Sequence, residues 1–471
     1  MTSPSRFEGV KAQLVALDAR MGGPVARLVS SPAARRVATG AFWTVFGSSL
    51  SRVLALVAAV LIARRLGPAH FGEYNLVQTT AGMMMALGGF GLNTTTTKFL
   101  AGKYRADPVA AGRVVGLSGI VSAAVGGGTG VLLAVLAPWI ARDVLGSPQL
   151  TPALRVGALL LLFGPINGTQ IGVLMGLERF RLIAGLTTLA AAVNVPLVVV
   201  GAVWDGMYGA TIGAVVSSAV GTFLYRRAVY AAGRRVGIRP IYRDALKEWR
   251  LLFSYSLPMT LTNVVVAPVT WVGSAFVANQ VDGVRELGLY AAANQWRNAI
   301  MLVATSAGSV LFPLFAHLHD SGRARSFARA FWTSFGLTAV VSALGAALLA
   351  GVAPWLMHLY GYAFVGASGV LVLLVVAGAL SAPLTIVGHA IAGAGRMWLG
   401  LALSLVWAAV LVATSYALRT RGALGLSIAH VAAYGVHFLV ALAFASAIVR
   451  GRGATPPVAE QGEIVTEQAG A

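Results

Sequence analysis

The chain has 471 residues, 57% of them hydrophobic and only 11% charged, with a net charge of +20 and no cysteine. Ordinary soluble domains carry about a quarter charged residues, so water is not the main solvent of this chain. The missing cysteines exclude disulfides, thiolate metal sites and cysteine nucleophiles.

Residues 1–37 lack an apolar core followed by a small-residue cleavage site, so no cleavable signal peptide is predicted. Phe7, Val10, Leu14 and Leu17 are spaced for one helical face, which fits an interfacial helix on the cytoplasmic side; a basic tail without fixed structure is the other reading. Apolar runs of about 20 residues or more follow, long enough to cross a hydrocarbon core of roughly 30 Å. A segment alone in lipid must satisfy its own backbone, so these runs are expected to be helices. They fall at 38–62, 71–97, 114–140, 154–176, 182–203 and 207–225, then at 251–280, 287–316, 328–357, 363–392, 397–418 and 423–449. The expectation is an all-α integral membrane protein of 12 transmembrane helices in two six-helix lobes, 38–225 and 251–449. A basic cytoplasmic linker, 226–250, joins the lobes, and the polar tail 450–471 reads as disordered.

With both termini in the cytoplasm, 26 of the 35 Lys and Arg residues lie on the inner side and 7 on the outer side. That bias sets the predicted orientation and accounts for the net charge without nucleic acid. An offset of 216 residues aligns Phe71-Gly72-Glu73-Tyr74 with Leu287-Gly288-Leu289-Tyr290, and Ala137-Pro138-Trp139-Ile140 with Ala353-Pro354-Trp355-Leu356. Gly206 and Gly209 align with Gly422 and Gly425 at the same offset, and a slip of one residue pairs Gly176 and Arg179 with Gly393 and Arg396. The ordered matches indicate duplication. Six spans is an even number, so the halves form a parallel repeat, an arrangement used by transporters that bind cargo near the midplane.

None of the fifteen acidic residues falls deep in a predicted span, whereas Arg52 and Arg297 do. Each buried arginine costs on the order of 2.5–3.5 kcal/mol on insertion scales, so each is expected to face protein or a watery cavity. Ser48, Ser49 and Arg52 share one helical face, and Asn294, Arg297 and Asn298 share another. Asn75, Gln78 and Thr79 form a similar face on the second span, and Ser256, Thr260 and Asn263 one on the seventh. A cavity lined by these faces would hold positive fixed charge and select an anion, and a guanidinium suits phosphate because its planar fork donates two parallel hydrogen bonds. The competing reading is that polar side chains or backbone carbonyls satisfy each arginine, which then only fixes helix packing.

Weaker signals remain. Pro165, Pro196, Pro258, Pro268, Pro313 and Pro383 are tolerated kinks or hinges, and His389, His430 and His437 are packing residues or proton carriers. The Thr94–Thr97 run with Lys98 is expected to end the second span, with Lys98 placed to meet a headgroup phosphate. No Walker A loop, HExxH pair, deep carboxylate dyad or Ser/His/Asp set is present, so no enzyme is expected.

Leu66-Gly67-Pro68-Ala69-His70-Phe71-Gly72-Glu73-Tyr74-Asn75-Leu76 and Gly176-Leu177-Glu178-Arg179-Phe180-Arg181 resemble the polysaccharide repeat-unit flippases of the Wzx type. These belong to the multidrug/oligosaccharidyl-lipid/polysaccharide (MOP) exporter superfamily, and the similarity covers about residues 38–450. The resemblance implies a two-lobed inner-membrane transporter, without cofactor or metal. It would move undecaprenyl-pyrophosphate-linked oligosaccharide from the cytoplasmic to the periplasmic leaflet for O-antigen, capsule or exopolysaccharide synthesis. It also implies H+ or Na+ as coupling ion, membrane lipids and polysaccharide polymerase or assembly proteins as partners, and cationic contacts to the pyrophosphate. Arg52 and Arg297 match that last role. A multidrug or organic-cation exporter of the same superfamily is the alternative, and a membrane scaffold or enzyme of envelope assembly is the alternative from another class.

Overall fold

A computed structural model describes residues 32–88, 91–103, 107–243, 245, 265–321, 324–394 and 397–449. Among these every regular element is a helix. The amphipathic N-terminal stretch, Ser256, Thr260, Asn263 and the C-terminal tail lie outside the described residues.

The first helix, α1 (Pro32–Gly88), departs from helical geometry only at Gly67, with φ 70° and ψ 175°. The eight-residue connection expected between the first two spans is therefore a single-residue break. Glycine takes the positive φ without a Cβ penalty, and Pro68 restarts the helix where its missing N–H is not needed. The threonine run Thr94–Thr97, expected to end the second span, does not end a helix. It sits inside α2 (Leu92–Lys103), where three of the four hydroxyls find partners without interrupting the helix. Thr95 donates to the Gly91 carbonyl at 3.2 Å, Thr97 to Asn93 at 2.9 Å, and Thr96 to the Ser118 hydroxyl at 2.9 Å.

α3 (Pro108–Trp139) starts six residues before its predicted limit. Asp107 accepts from the amides of Val109 at 3.0 Å and Ala110 at 2.9 Å, an N-terminal cap with proline at the first position. α4 (Thr151–Gly176) and α5 (Phe180–Arg235) follow, α5 broken at Asp205 and Gly206. α5 runs ten residues into the stretch expected to be linker. Tyr225, Ala228, Val229 and Ala232 repeat at helical spacing and bury against Leu100, Ala111, Val115, Val173, Leu174 and Leu177, so the apolar face carries the helix onward.

The remaining helices are α6 (Val266–Ala278), α7 (Gly283–Asp320), α8 (Ala324–Gly351), α9 (Ala353–His358), α10 (Ser368–Gly393), α11 (Met397–Ala417) and α12 (Gly422–Val449). Eight stretches of the described residues are long and apolar enough to cross a membrane. Two of these, in α1 and α5, cross twice through their breaks. With α6 and α7 this accounts for twelve spans, so the chain is an all-α integral membrane protein. Trp139, Trp204, Trp355, Tyr362 and Tyr416 are exposed at or near helix ends and breaks. Such rings prefer the membrane–water boundary, where one edge is apolar and the other wet.

The chain forms two compact units. The first comprises 1–65, 84–138 and 150–260, the second 66–83, 139–149 and 261–471. In the first unit α2, α3 and α4 are joined by buried hydroxyl contacts, Thr96 to Ser118 and Ser122 to Thr169, and Thr97 donates to the Gly172 carbonyl at 3.1 Å. In the second unit α10 is the central helix. The most apolar stretch of its region is 61% buried, against 17–33% for the other seven, which is why α10 can be hydrophobic on every face.

Within the second unit, the Leu66–Met83 part of α1 crosses α7 with the two backbones touching. A Cβ on Gly72 would fall 1.9 Å from the Val284 carbonyl oxygen, and one on Gly288 would fall 1.9 Å from that of Pro68. Gly72 and Gly288, like Pro68 and Val284, stand 216 residues apart. The crossing therefore joins equivalent positions of the duplication, each glycine admitting the other helix's carbonyl.

Candidate functional site

In the first unit, Ser48, Ser49 and Arg52 lie on α1 before its break. Ser48 and Ser49 are half-buried, and Arg52 is exposed beside Val53 and Leu50. Among the described residues Arg52 has no hydrogen-bond or ion-pair partner. Lys98 is exposed on α2 in the same unit, on a helix tied to α4 through Thr97.

In the second unit, Asn75 and Gln78 are half-buried on the Leu66–Met83 segment. The Gln78 amide donates to the Tyr74 hydroxyl at 2.7 Å, and Asn75 donates weakly to the Phe71 carbonyl at 3.4 Å. The segment is anchored further by Trp271 of α6, whose indole N–H donates to the buried Thr80 hydroxyl at 2.9 Å. Gln78 and Asn294 each lie six residues beyond their crossing glycine, about 9 Å along their helices.

Asn294, Arg297 and Asn298 share a face of α7, with Asn298 exposed and the other two half-buried. Arg297 Nε donates to Asn294 Oδ1 at 2.8 Å, and Nη1 reaches the Tyr434 hydroxyl of α12 at 3.4 Å. The guanidinium carbon also stands 5.9 Å from the centre of the Tyr434 ring, within cation–π range. Gly378 of α10 makes room for the stem: a Cβ there would lie 3.1 Å from Arg297 Cγ. Tyr434 is itself packed against Trp407, centroids 5.5 Å apart, and His430, 6.3 Å. His430 is buried and its Nδ1 lies 2.9 Å from the Leu426 carbonyl, which can only accept. Nδ1 therefore carries the proton, leaving Nε2 to accept from the Tyr290 hydroxyl at 3.3 Å.

Among the described residues two of the five N–H donors of Arg297 are thus used, both by neutral partners, which leaves three without a protein partner there. Among the described residues no carboxylate pairs with it. Two acids of the second unit are engaged elsewhere. Glu73 meets His70 at 2.8 Å and Gln149 at 3.4 Å, and Glu286 accepts from the Ala423 amide at 3.0 Å at the start of α12.

The sequence does not single out Tyr434 or Gly378, and it offers His430 only as a packing residue or proton carrier. Ser427, His430, Tyr434 and His437 recur at spacings of three and four on α12, a polar stripe in a mostly apolar span. That stripe is a signal available in the sequence. Gly378 carries no comparable one.

Residues 37–319 match the model of the polysaccharide biosynthesis protein family. This chain belongs to that family. Among curated relatives, the EPS I polysaccharide export inner membrane protein EpsE of Ralstonia nicotianae is 30% identical over 142 residues, 30% of this chain and 32% of the relative. EpsE of Ralstonia solanacearum is 33% identical over 75 residues, 16% of this chain and 17% of the relative. The matches thus span a third or less of these relatives' length. Solved structures agree over far more of the chain. A multidrug resistance MATE family transporter of the MOP superfamily, in an inward-facing conformation, has a TM-score of 0.69 at 17% identity. That likeness covers 87% of this chain and 100% of the transporter. A MOP superfamily transporter from Pyrococcus furiosus, described as having a binding pocket of reverse polarity, has a TM-score of 0.64 at 16% identity over 89% of this chain and 97% of its own. This member of the polysaccharide biosynthesis family therefore has the MOP transporter fold.

Proposed function

We propose that this protein is a flippase of the inner membrane. Its cargo is an undecaprenyl-pyrophosphate-linked oligosaccharide, carried from the cytoplasmic to the periplasmic leaflet by alternating access for O-antigen, capsule or exopolysaccharide synthesis. The observation that carries the reading is Arg297: a guanidinium far from its helix end, oriented by Asn294 and Tyr434, with three donors to spare and no acidic partner among the described residues. A fixed cation so placed in a membrane protein selects an anionic group, and its planar fork matches phosphate oxygens. Arg52 supplies a second cation. Ser48, Ser49, Asn75, Gln78, Asn263, Asn294 and Asn298 are the proposed polar contacts, and Lys98 the contact to a headgroup at the membrane face. Family membership and the export role named for the Ralstonia relatives support the saccharide.

The coupling ion in this reading is H+ or Na+. Among the described residues, acids on helices stand near helix ends or breaks, so no carboxylate is assigned the coupling role. The test is deletion of the gene with a leaflet-resolved measurement of lipid-linked saccharide. Accumulation on the cytoplasmic side, relieved by the wild-type gene and not by an Arg297→Ala copy, is the expected result. Unchanged leaflet distribution on deletion overturns the flippase. Drug sensitivity in its place indicates a multidrug exporter.

A further inference from the structure

The proposed transport makes no use of Gly176-Leu177-Glu178-Arg179-Phe180-Arg181. The stretch forms the reversal between α4 and α5. The Glu178 amide donates to Met175 and the Arg179 amide to Leu174, both at 2.9 Å. Glu178 takes φ 57°, a left-handed conformation that few residues other than glycine adopt. The tight turn sets Arg179 and Arg181 on either side of Phe180. Phe180 packs against the start of α1, where a Cβ on Gly40 would fall 2.7 Å from its ring. Arg181 stands 4.7 Å from the centre of the Trp43 ring. The end of α5 closes the other side with Ala228, Ala231, Ala232 and Arg235.

Together these groups enclose a cavity of about 410 Å³, within the range of small-molecule sites. Its lining has two parts. Arg179, Arg181 and Arg235 face Glu178 alone, and among the described residues none of the three arginines pairs with an acid. Phe180, Leu182 and the alanines supply an apolar wall, with Leu182 exposed. The cavity lies at the ends of spanning helices on the side opposite the Gly67 break, where the loops and helix ends are rich in arginine.

We propose that this cavity is a binding site for an anionic phospholipid, with the headgroup phosphate held by Arg179, Arg181 and Arg235 and the first acyl carbons along Leu182 and Phe180. Three guanidiniums against one carboxylate select a phosphate. The apolar wall and the position at the end of the spans select a lipid over the free ion. An occupant touches the α4–α5 turn and the end of α5, and through Arg181 and Trp43 it bears on α1. It thereby fastens three helices of the first unit at one face of the membrane. This assignment does not depend on the identity of the transported cargo.

The test uses the full-length protein in nonionic detergent, with binding of phosphatidylglycerol, phosphatidylcholine and inorganic phosphate measured by native mass spectrometry and by thermal shift. Saturable binding of phosphatidylglycerol, absent for phosphatidylcholine and not displaced by millimolar phosphate, is expected. Each arginine near a membrane surface is worth about fivefold in affinity, so the R179Q/R181Q/R235Q variant should bind on the order of 100-fold more weakly. Arg226→Gln with Arg227→Gln, elsewhere on the same helix, should bind as the wild type does. Undiminished binding by the triple variant overturns the site, and so does an equal loss in the Arg226/Arg227 control. Displacement by inorganic phosphate shows that the free anion is the ligand and overturns the lipid assignment. If the triple variant does not fold, Arg235→Gln alone decides, with about fivefold weaker binding expected and unchanged binding overturning the proposal.

Discussion

Arg52 and Arg297 lie similar distances along their helices, in opposite surroundings. Arg52 lies about 15 residues before the Gly67 break and Arg297 about 14 after the start of α7, roughly 22 and 21 Å along their helices. Arg297 is held at two of its nitrogens, over a tyrosine ring, against a glycine that admits its stem. Arg52 is exposed and, among the described residues, without a partner. The two are not copies from the duplication either. At the offset of 216 the counterpart of Arg297 is Ala81 and that of Arg52 is Pro268. A preorganised guanidinium loses little freedom when a phosphate arrives, whereas a free one must be ordered at that moment. In the proposed transport Arg297 therefore sets geometry and Arg52 adds mainly charge.

The largest effect expected is at Arg297. Its replacement by alanine removes a charge-assisted contact and should lower transport by on the order of 100-fold or more, consistent with a loss of about 2–5 kcal/mol for truncating a buried charged partner. Arg52→Ala should cost less, on the order of tenfold. Leaflet-resolved transport in reconstituted vesicles, with insertion checked by protein yield, measures both. Full activity in both variants removes the anion site altogether.

Lysine substitutions sharpen the contrast. Lysine keeps the charge and loses the planar fork, so Arg52→Lys should retain most transport while Arg297→Lys stays about tenfold down. Equal rescue at the two positions would show that the order around Arg297 contributes nothing to function.

The order itself is testable through its supports. Tyr434→Phe deletes a 3.4 Å bond but keeps the ring beneath the guanidinium, and Asn294→Ala deletes the 2.8 Å bond. Each neutral–charged hydrogen bond is worth about 1.5–3 kcal/mol when lost in a buried setting. Asn294→Ala is therefore expected to cost roughly tenfold in transport, and Tyr434→Phe several-fold because its bond is long. In an Arg297→Ala background both should add little, since they act through the arginine. Independent, additive losses would make them direct cargo contacts.

Much of this contrast could be anticipated and part could not. Span positions, the depth of Arg52 and Arg297 and the polar face Asn294-Arg297-Asn298 follow from hydropathy and the period of 3.6, which are local properties of a helix in lipid. The connections were harder to read. The breaks at Gly67 and Asp205–Gly206 fall inside the expected connections 63–70 and 204–206, but hydropathy does not show that the first narrows to one residue, and α5 continues past Arg226 only because α2, α3 and α4 supply a partner for its apolar face. Tyr434 meets Arg297 across 137 residues of chain, a contact set by packing against α10 and α12. Gly378, silent in composition, creates the space for it.

The smallest effect tests that space. Adding a methyl at Gly378 places carbon 3.1 Å from Arg297 Cγ, closer than an ordinary contact, and the arginine stem can yield by a few tenths of an ångström. Gly378→Ala should therefore cost only about 1 kcal/mol in thermal stability in detergent and two- to threefold in transport. The loss in transport should disappear when Arg297 is already alanine. Gly288→Ala, on the helix that carries Arg297, is the contrasting case, because its methyl meets the Pro68 carbonyl at 1.9 Å and backbone cannot swing aside. Its destabilisation should exceed that of Gly378→Ala and persist in the Arg297→Ala background. If both glycine variants respond alike to removal of Arg297, the stem of Arg297 is not what Gly378 accommodates, and the preorganisation that separates Arg297 from Arg52 must come from Asn294 and Tyr434 alone.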